Sequence, residues 1–163
     1  MRIDGTASIF AADQAPIVIH DAVAAIVLTS DGRYLLQERD DIPGIWYPGH
    51  VGCFGGGIDP GEDVDTALKR ELTEEIGLAP RDSTFFMRMD FDLGAICRRP
   101  YFRSYFTVRL GADEEQALRL GEGRAMRALS DRQMLDAPNL IPYDAFALFL
   151  HARGARVAEA AAA

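Results

Sequence analysis

Along the chain, apolar positions fall into runs whose spacing changes from strand-like to helical and back. Ile17 to Ile19 and Ala22 to Leu28 are rich in small and β-branched residues, and Tyr34, Leu35 and Leu36 follow a polar break at Ser30, Asp31 and Gly32. This pattern predicts a hairpin, because Asp31 and Gly32 both tolerate the positive backbone angles of a tight strand connection. Residues 40–61 are dense in glycine and proline, so extended loops are expected there, with a short strand around Val51 to Phe54. Asp63 reads as a helix N-cap and Gly77 as a stop, so the segment between them is predicted to be helical.

Phe85 to Leu93 and Tyr101 to Leu110 read as strands, followed by a short strand at Arg124 to Leu129. Ser130 caps a predicted short helix over Asp131 to Leu135. Ala145, Leu148 and Phe149 give Tyr143 to Arg153 a helical spacing, and the Ala-rich stretch from Val157 to Ala163 reads as peripheral. Strands, helix, strands and helix in this order suggest a mixed sheet with helices on its faces. No repeat or linker interrupts the 163 residues, a length that suits one domain over 1–163.

Composition narrows the function classes. A hydrophobic fraction of 48% with 26% charged residues is that of a globular protein. The formal net charge of -8 argues against broad attraction to nucleic acid or anionic membranes. A small anionic ligand is compatible with that charge if a divalent cation lies between it and the carboxylates. The two cysteines, Cys53 and Cys97, are too few for a disulfide scaffold and lack structural-zinc spacing. The opening residues MRIDGTASIF lack a signal-peptide pattern, and no apolar run is long enough to span a bilayer. A cytoplasmic location is therefore expected.

The chemistry concentrates between Asp63 and Gly77. With Glu71 at zero on a helical wheel, Glu74 falls near roughly -60° and Glu75 near roughly +40°, so all three acids share a face. Val64, Leu68, Leu72 and Ile76 fall at roughly 20° to 140°, which places Glu75 within the apolar stripe. A solvated acidic helix would turn its acids the other way, toward Lys69 and Thr73. Carboxylates at a core edge, one turn apart, call for a counterion, and a hard divalent cation supplies one. Arg70, near roughly -100° on the same wheel, is placed to orient Glu74 or simply to form a surface ion pair.

Gly56 to Leu78 reads GGIDPGEDVDTALKRELTEEIGL. It resembles the Nudix box, G-x5-E-x7-R-E-U-x-E-E-x-G-U with U a bulky aliphatic, at Gly56, Glu62, Arg70, Glu71, Leu72, Glu74, Glu75, Gly77 and Leu78. Chance would give seven such matches at a given start about once in 10^8 trials, so coincidence is a poor account. The resemblance implies an α/β (α+β) fold, the Nudix-like α/β/α sandwich with a mixed β-sheet, over approximately 17–151. It further implies that Glu71, Glu74 and Glu75 bind Mg2+, or Mn2+ in its place, together with a backbone oxygen of Gly56 or its neighbour. Glu62 would support the site, Arg70 would hold a glutamate, and Gly77 would end the helix. Glu122, in GEGRAM, is a candidate fourth acid, with an exposed loop acid as the competing reading. Glu71 is the preferred general base and Glu122 its rival.

The implied reaction is attack of water on a phosphorus of a nucleoside diphosphate linked to another moiety. The partner is then a small nucleotide or diphosphate, with a homodimer left open. Trp46 and Tyr47 offer faces for a base or sugar, or else anchor their loop to the core; His50 beside them is a weaker candidate. Arg98, Arg99 and Arg103 offer a phosphate clamp, against the simpler reading of a solvated hairpin tip. Proline and tyrosine markers of some subfamilies are missing, since Pro100 and Tyr101 lie too far beyond the box. A noncatalytic nucleotide-sensing or protein-binding domain is the alternative, and an enzyme similar to isopentenyl diphosphate isomerase, using Cys53, a distant one.

Overall fold

The computed structural model describes residues 20–92 and 100–161, with side chains as far as 154. Ile17 to Ile19, Leu93, Cys97, Arg98, Arg99 and the side chains of Val157 to Ala163 lie outside the described residues. The elements are β1 (Ala22–Leu28), β2 (Tyr34–Glu38), β3 (Val51–Gly52), α1 (Val64–Ile76), β4 (Thr84–Phe91) and β5 (Tyr101–Arg109), then α2 (Ala112–Ala117), β6 (Ala125–Leu129), α3 (Asp131–Leu135) and α4 (Pro142–Ala161).

All seven residues of β1 are buried, because helices cover both faces of the sheet. The strand order is β3-β2-β1-β5-β4, with β6 also pairing β2; β1 and β5 run parallel and the other pairs antiparallel. On one face, Val23, Ala25, Val27, Leu35, Phe54, Phe106 and Val108 pack against Ala67, Leu68, Leu72 and Ile76 of α1. On the other, Ala24, Ile26, Leu28, Leu36, Cys53 and Tyr105 pack against Met134 of α3 and Ala147 and Leu148 of α4. The result is the mixed α/β/α arrangement that the alternation of elements implies.

Several details differ from expectation. The hairpin turns over Thr29 to Arg33, and only Gly32 takes a positive φ (82°). Asp31 contributes through its carboxylate instead, accepting from the Thr29 hydroxyl (2.5 Å) and Arg33 Nε (2.8 Å). Helix α2 lacks any buried residue, so it carries no apolar stripe to announce it. Helix α4 runs on past Arg153 to Ala161, through a stretch rich in alanine, the strongest helix former.

Residues 51–57 leave the sheet on a path that sets the site. Val51 and Gly52 pair with Glu38 and Gln37 of β2, then Phe54 and Gly57 bridge to Ala25 and Ala22 of β1. Gly55 holds φ 125° there, and a Cβ on it would strike the Val23 carbonyl oxygen. Only glycine fits that approach.

Candidate active site

Helix α1 begins and ends where its caps dictate. The Asp63 carboxylate accepts from Thr66 N (2.8 Å), and Gly77 sits at φ 66°. The Gly77 and Leu78 amides then bond to the Thr73 and Leu72 carbonyls (3.0 Å each), a Schellman closure that fixes the last turn. That turn carries the acids, and they grade from core to solvent. Glu75 is 5% exposed, whereas the side chains of Glu71 and Glu74 are 14% and 53% exposed.

Glu75 lies within the apolar stripe, as the wheel implies, and only neutral groups hold it. Gln37 Nε2 donates to its Oε1 (3.0 Å) and Gly55 N to its Oε2 (2.7 Å). Burial pushes its carboxyl up to about 7, against the lowering effect of the Gly55 amide, and nearby Glu71 and Glu122 add to the rise. Glu71 is also raised, by burial first, while Arg70 opposes the shift and Glu74 and Glu122 reinforce it.

Arg70 does more than orient one glutamate. Its guanidinium donates to both oxygens of Glu62 (3.0 Å each), to Glu71 Oε1 (2.7 Å), to Glu74 Oε2 (3.3 Å) and to the Gly57 carbonyl (2.8 Å). These partners keep Arg70 fully charged and hold the Glu62 carboxyl below its usual range. Gly56 abuts Glu71: a Cβ there would lie 2.5 to 2.8 Å from its carboxylate atoms. The Gly56 carbonyl accepts from Val23 N (2.9 Å), leaving its second lone pair for another donor or a cation. Among the described residues, no three acidic, histidine or cysteine side chains converge as a ready-made metal cage. Arg70 draws Glu71 and Glu74 to itself instead.

Beside Glu75 opens a cavity of about 330 Å3, lined by Gln37, Arg39, Asp40, Ile45, Glu75 and residues 121–123. Glu122 belongs to this lining, and its amide, with that of Gly121, bonds to the Glu75 carbonyl (3.3 and 2.7 Å). Arg39 escapes the sequence reading, though a cation ending a strand beside an acidic helix is a usable signal. Its Nε is buried without a hydrogen-bond partner.

Other candidates lie elsewhere. Trp46 and Tyr47 do not line the cavity; their loop contributes Ile45 instead. The Tyr47 ring packs against Trp46, His50 and Tyr143 (centroids 5.9, 5.4 and 5.8 Å), with its backbone at φ 50°. Arg103 is neither at the cavity nor at a solvated tip. Its side chain is 11% exposed, its Nε lies 3.4 Å from Asp144 Oδ1, and its guanidinium sits over Tyr143 (5.1 Å). Asp144, fully buried, also accepts from Cys53 N (3.0 Å) and the Tyr105 hydroxyl (2.8 Å). Arg98 and Arg99 fall outside the described residues. A larger groove of about 540 Å3 between α3 and α4, lined partly by Leu135, Phe149 and Ala152, contains none of these acids.

The family model for the NUDIX domain matches residues 18–156. A nucleoside triphosphatase, NudI from Escherichia coli, is 43% identical over 51 residues; the match covers 31% of this chain and only 36% of that relative. A MutT protein from Methanosarcina mazei Go1 has the same fold, with a TM-score of 0.68 at 20% identity over 84% of this chain and 94% of its own. A MutT NUDIX hydrolase from Burkholderia pseudomallei has a TM-score of 0.64 at 26% identity, over 79% and 95% of the two chains. With the box complete, the sandwich formed around it and the family model spanning most of its length, this chain belongs to the NUDIX domain family.

Proposed function

We propose that the protein is a Mg2+-dependent hydrolase that cleaves a phosphoanhydride bond in a nucleoside diphosphate linked to another moiety. The observation that carries this reading is Glu75: a carboxylate held only by neutral donors, whose burial pushes its pKa up to about 7, with Glu71 and Glu122 near enough to add to the rise. Clustered acids with hard oxygen donors and free lone pairs suit a hard divalent cation, and Mn2+ would meet the same demand. Glu71, Glu74 and Glu75 would hold it, with the Gly56 carbonyl beside them. Bound there, the ion would neutralise phosphate oxygens and acidify water.

The chain's own residues divide the remaining work. Arg70 keeps Glu71 and Glu74 on one side of the helix and ties both to the box loop through Glu62 and Gly57. Arg39, among the described residues the one cation in the lining of a cavity that also holds Asp40, Glu75 and Glu122, would bind a substrate phosphate. Glu122 is better placed than Glu71 to take the proton from the attacking water. Glu122 lines the cavity, and its carboxylate has no hydrogen bond or ion pair among the described residues, while Glu71 Oε1 is bonded to Arg70. The name of the NudI relative favours a nucleoside triphosphate within this substrate class. Isomerase chemistry through Cys53 is disfavoured, because burial pushes that thiol well above its usual range.

Mass spectrometry of products from a library of nucleotides and diphosphates with Mg2+ identifies substrate and cut bond together. Glu74→Gln and Glu75→Gln should each lose metal-dependent turnover while remaining folded. Normal turnover in both variants would reject the assignment.

A further inference from the structure

Gln37 breaks the pattern of its strand. It shares a strand face with Leu35, directed at α1, on the side of the sheet whose core holds the apolar Leu35, Phe54, Leu72 and Ile76, yet it is a polar residue only 4% exposed. A buried amide is costly unless its donors are used. Here Nε2 donates to Glu75 Oε1 (3.0 Å) and approaches the Glu122 carbonyl (3.4 Å). The ionised carboxylate and the carbonyl accept only, so the nitrogen must face both.

A second set of contacts joins the same two segments. The Gly121 amide bonds to the Glu75 carbonyl (2.7 Å), and a Cβ on Gly121 would collide with the Glu74 carbonyl oxygen. Gly123 takes φ 83°, and a Cβ there would lie 2.9 Å from Gln37 Cγ and 3.0 Å from the Glu38 carbonyl. Loop 121–123 is therefore pressed between the last turn of α1 and the Gln37 side chain, with Glu122 at its centre.

We infer that Gln37 is a positioning residue that sets the spacing between the Glu75 carboxylate and the Glu122 loop. Its neutrality is the point. An arginine holds a carboxylate by spending its charge, as Arg70 does with Glu71, whereas an amide fixes the carboxylate and leaves its charge for a cation. With Gly55 N on the other oxygen, the Glu75 carboxylate is bonded on both sides without a counter-charge. This inference rests on the reading that Glu75 and Glu122 act at the reaction site.

The test uses Gln37→Met, which keeps the length of the side chain and removes the donor. Mn2+ affinity, read by electron paramagnetic resonance on substrate-free protein, should fall roughly 10- to 100-fold, the usual loss for a residue that orients a metal ligand. At saturating metal, kcat should fall while KM is little changed, since the Gln37 amide nitrogen is taken up by Glu75 and the Glu122 carbonyl. Unchanged Mn2+ affinity and kcat would overturn the inference and leave Gln37 as core filling. If Gln37→Met does not fold, the side-chain amide resonance of Gln37 in the wild-type protein decides: a shift on adding Mg2+ supports the role, and none overturns it. Wild-type protein that binds no Mn2+ at all would overturn the proposed function, and this inference with it.

Discussion

Replacing Glu75 by Gln should change how stability depends on pH in the metal-free protein. The carboxyl titrates near 4.5 unfolded and near about 7 folded, because burial opposes its charge. A raised folded value means that the native state holds the extra proton, so the stabilising contribution is present below the unfolded pKa and lost as pH climbs through the folded one. The gap between 4.5 and about 7 corresponds to an upper limit of ~3 kcal/mol, reached by about pH 8. Gln cannot titrate, so Glu75→Gln should lack this slope. Its amide would also face Gln37 Nε2 with a second donor, which costs ~1 to 3 kcal/mol at every pH and shifts the curve without tilting it. Urea unfolding in EDTA at half-unit steps from pH 4.5 to 8 separates the two effects. Parallel curves for wild type and variant would refute the claim that Glu75 is ionised at the expense of stability. Mg2+ added at pH 8 should restore wild-type stability and leave Glu75→Gln nearly unmoved.

Three further outcomes follow from the same geometry. Gly56→Ala puts a methyl within 2.5 to 2.8 Å of the Glu71 carboxylate and should lower turnover at least about tenfold, with a stability loss of only ~1 kcal/mol by thermal melting. Arg70→Lys cannot serve Glu62, Glu71, Glu74 and Gly57 at once; thermal melting should show a loss of ~1 to 3 kcal/mol, together with weaker metal dependence of turnover. Arg39→Met should raise KM for the diphosphate substrate about tenfold or more in steady-state assays while sparing metal affinity, because Arg39 lines the cavity whereas the α1 acids take their ion pairs from Arg70.

The sheet and the box helix were legible because their signals are local: a run of small and β-branched apolar residues for β1, and caps at Asp63 and Gly77 for α1. The burial of Glu75 was legible for the same reason, since the wheel alone places it in the stripe. What escaped depends on distant pairing. Gln37 and Glu75 are 38 positions apart, and only the closing of β2 against α1 brings them together. Arg103 read as part of an exposed basic turn because its partner, Asp144, lies on another element across the opposite face of the sheet. Trp46 and Tyr47 carry no spacing signal that distinguishes a stacking platform from an anchor, and the structure turns Tyr47 toward Tyr143 of α4.

The most direct test is a crystal structure with Mn2+ and a nonhydrolysable diphosphate analogue, using anomalous scattering to find the metal. The ion should sit on carboxylate oxygens of Glu71 and Glu75, at about 2.1 Å, with the analogue's phosphate also contacting Arg39. An ion bound away from α1, with both carboxylates in the same hydrogen bonds as in the metal-free protein, would contradict that placement.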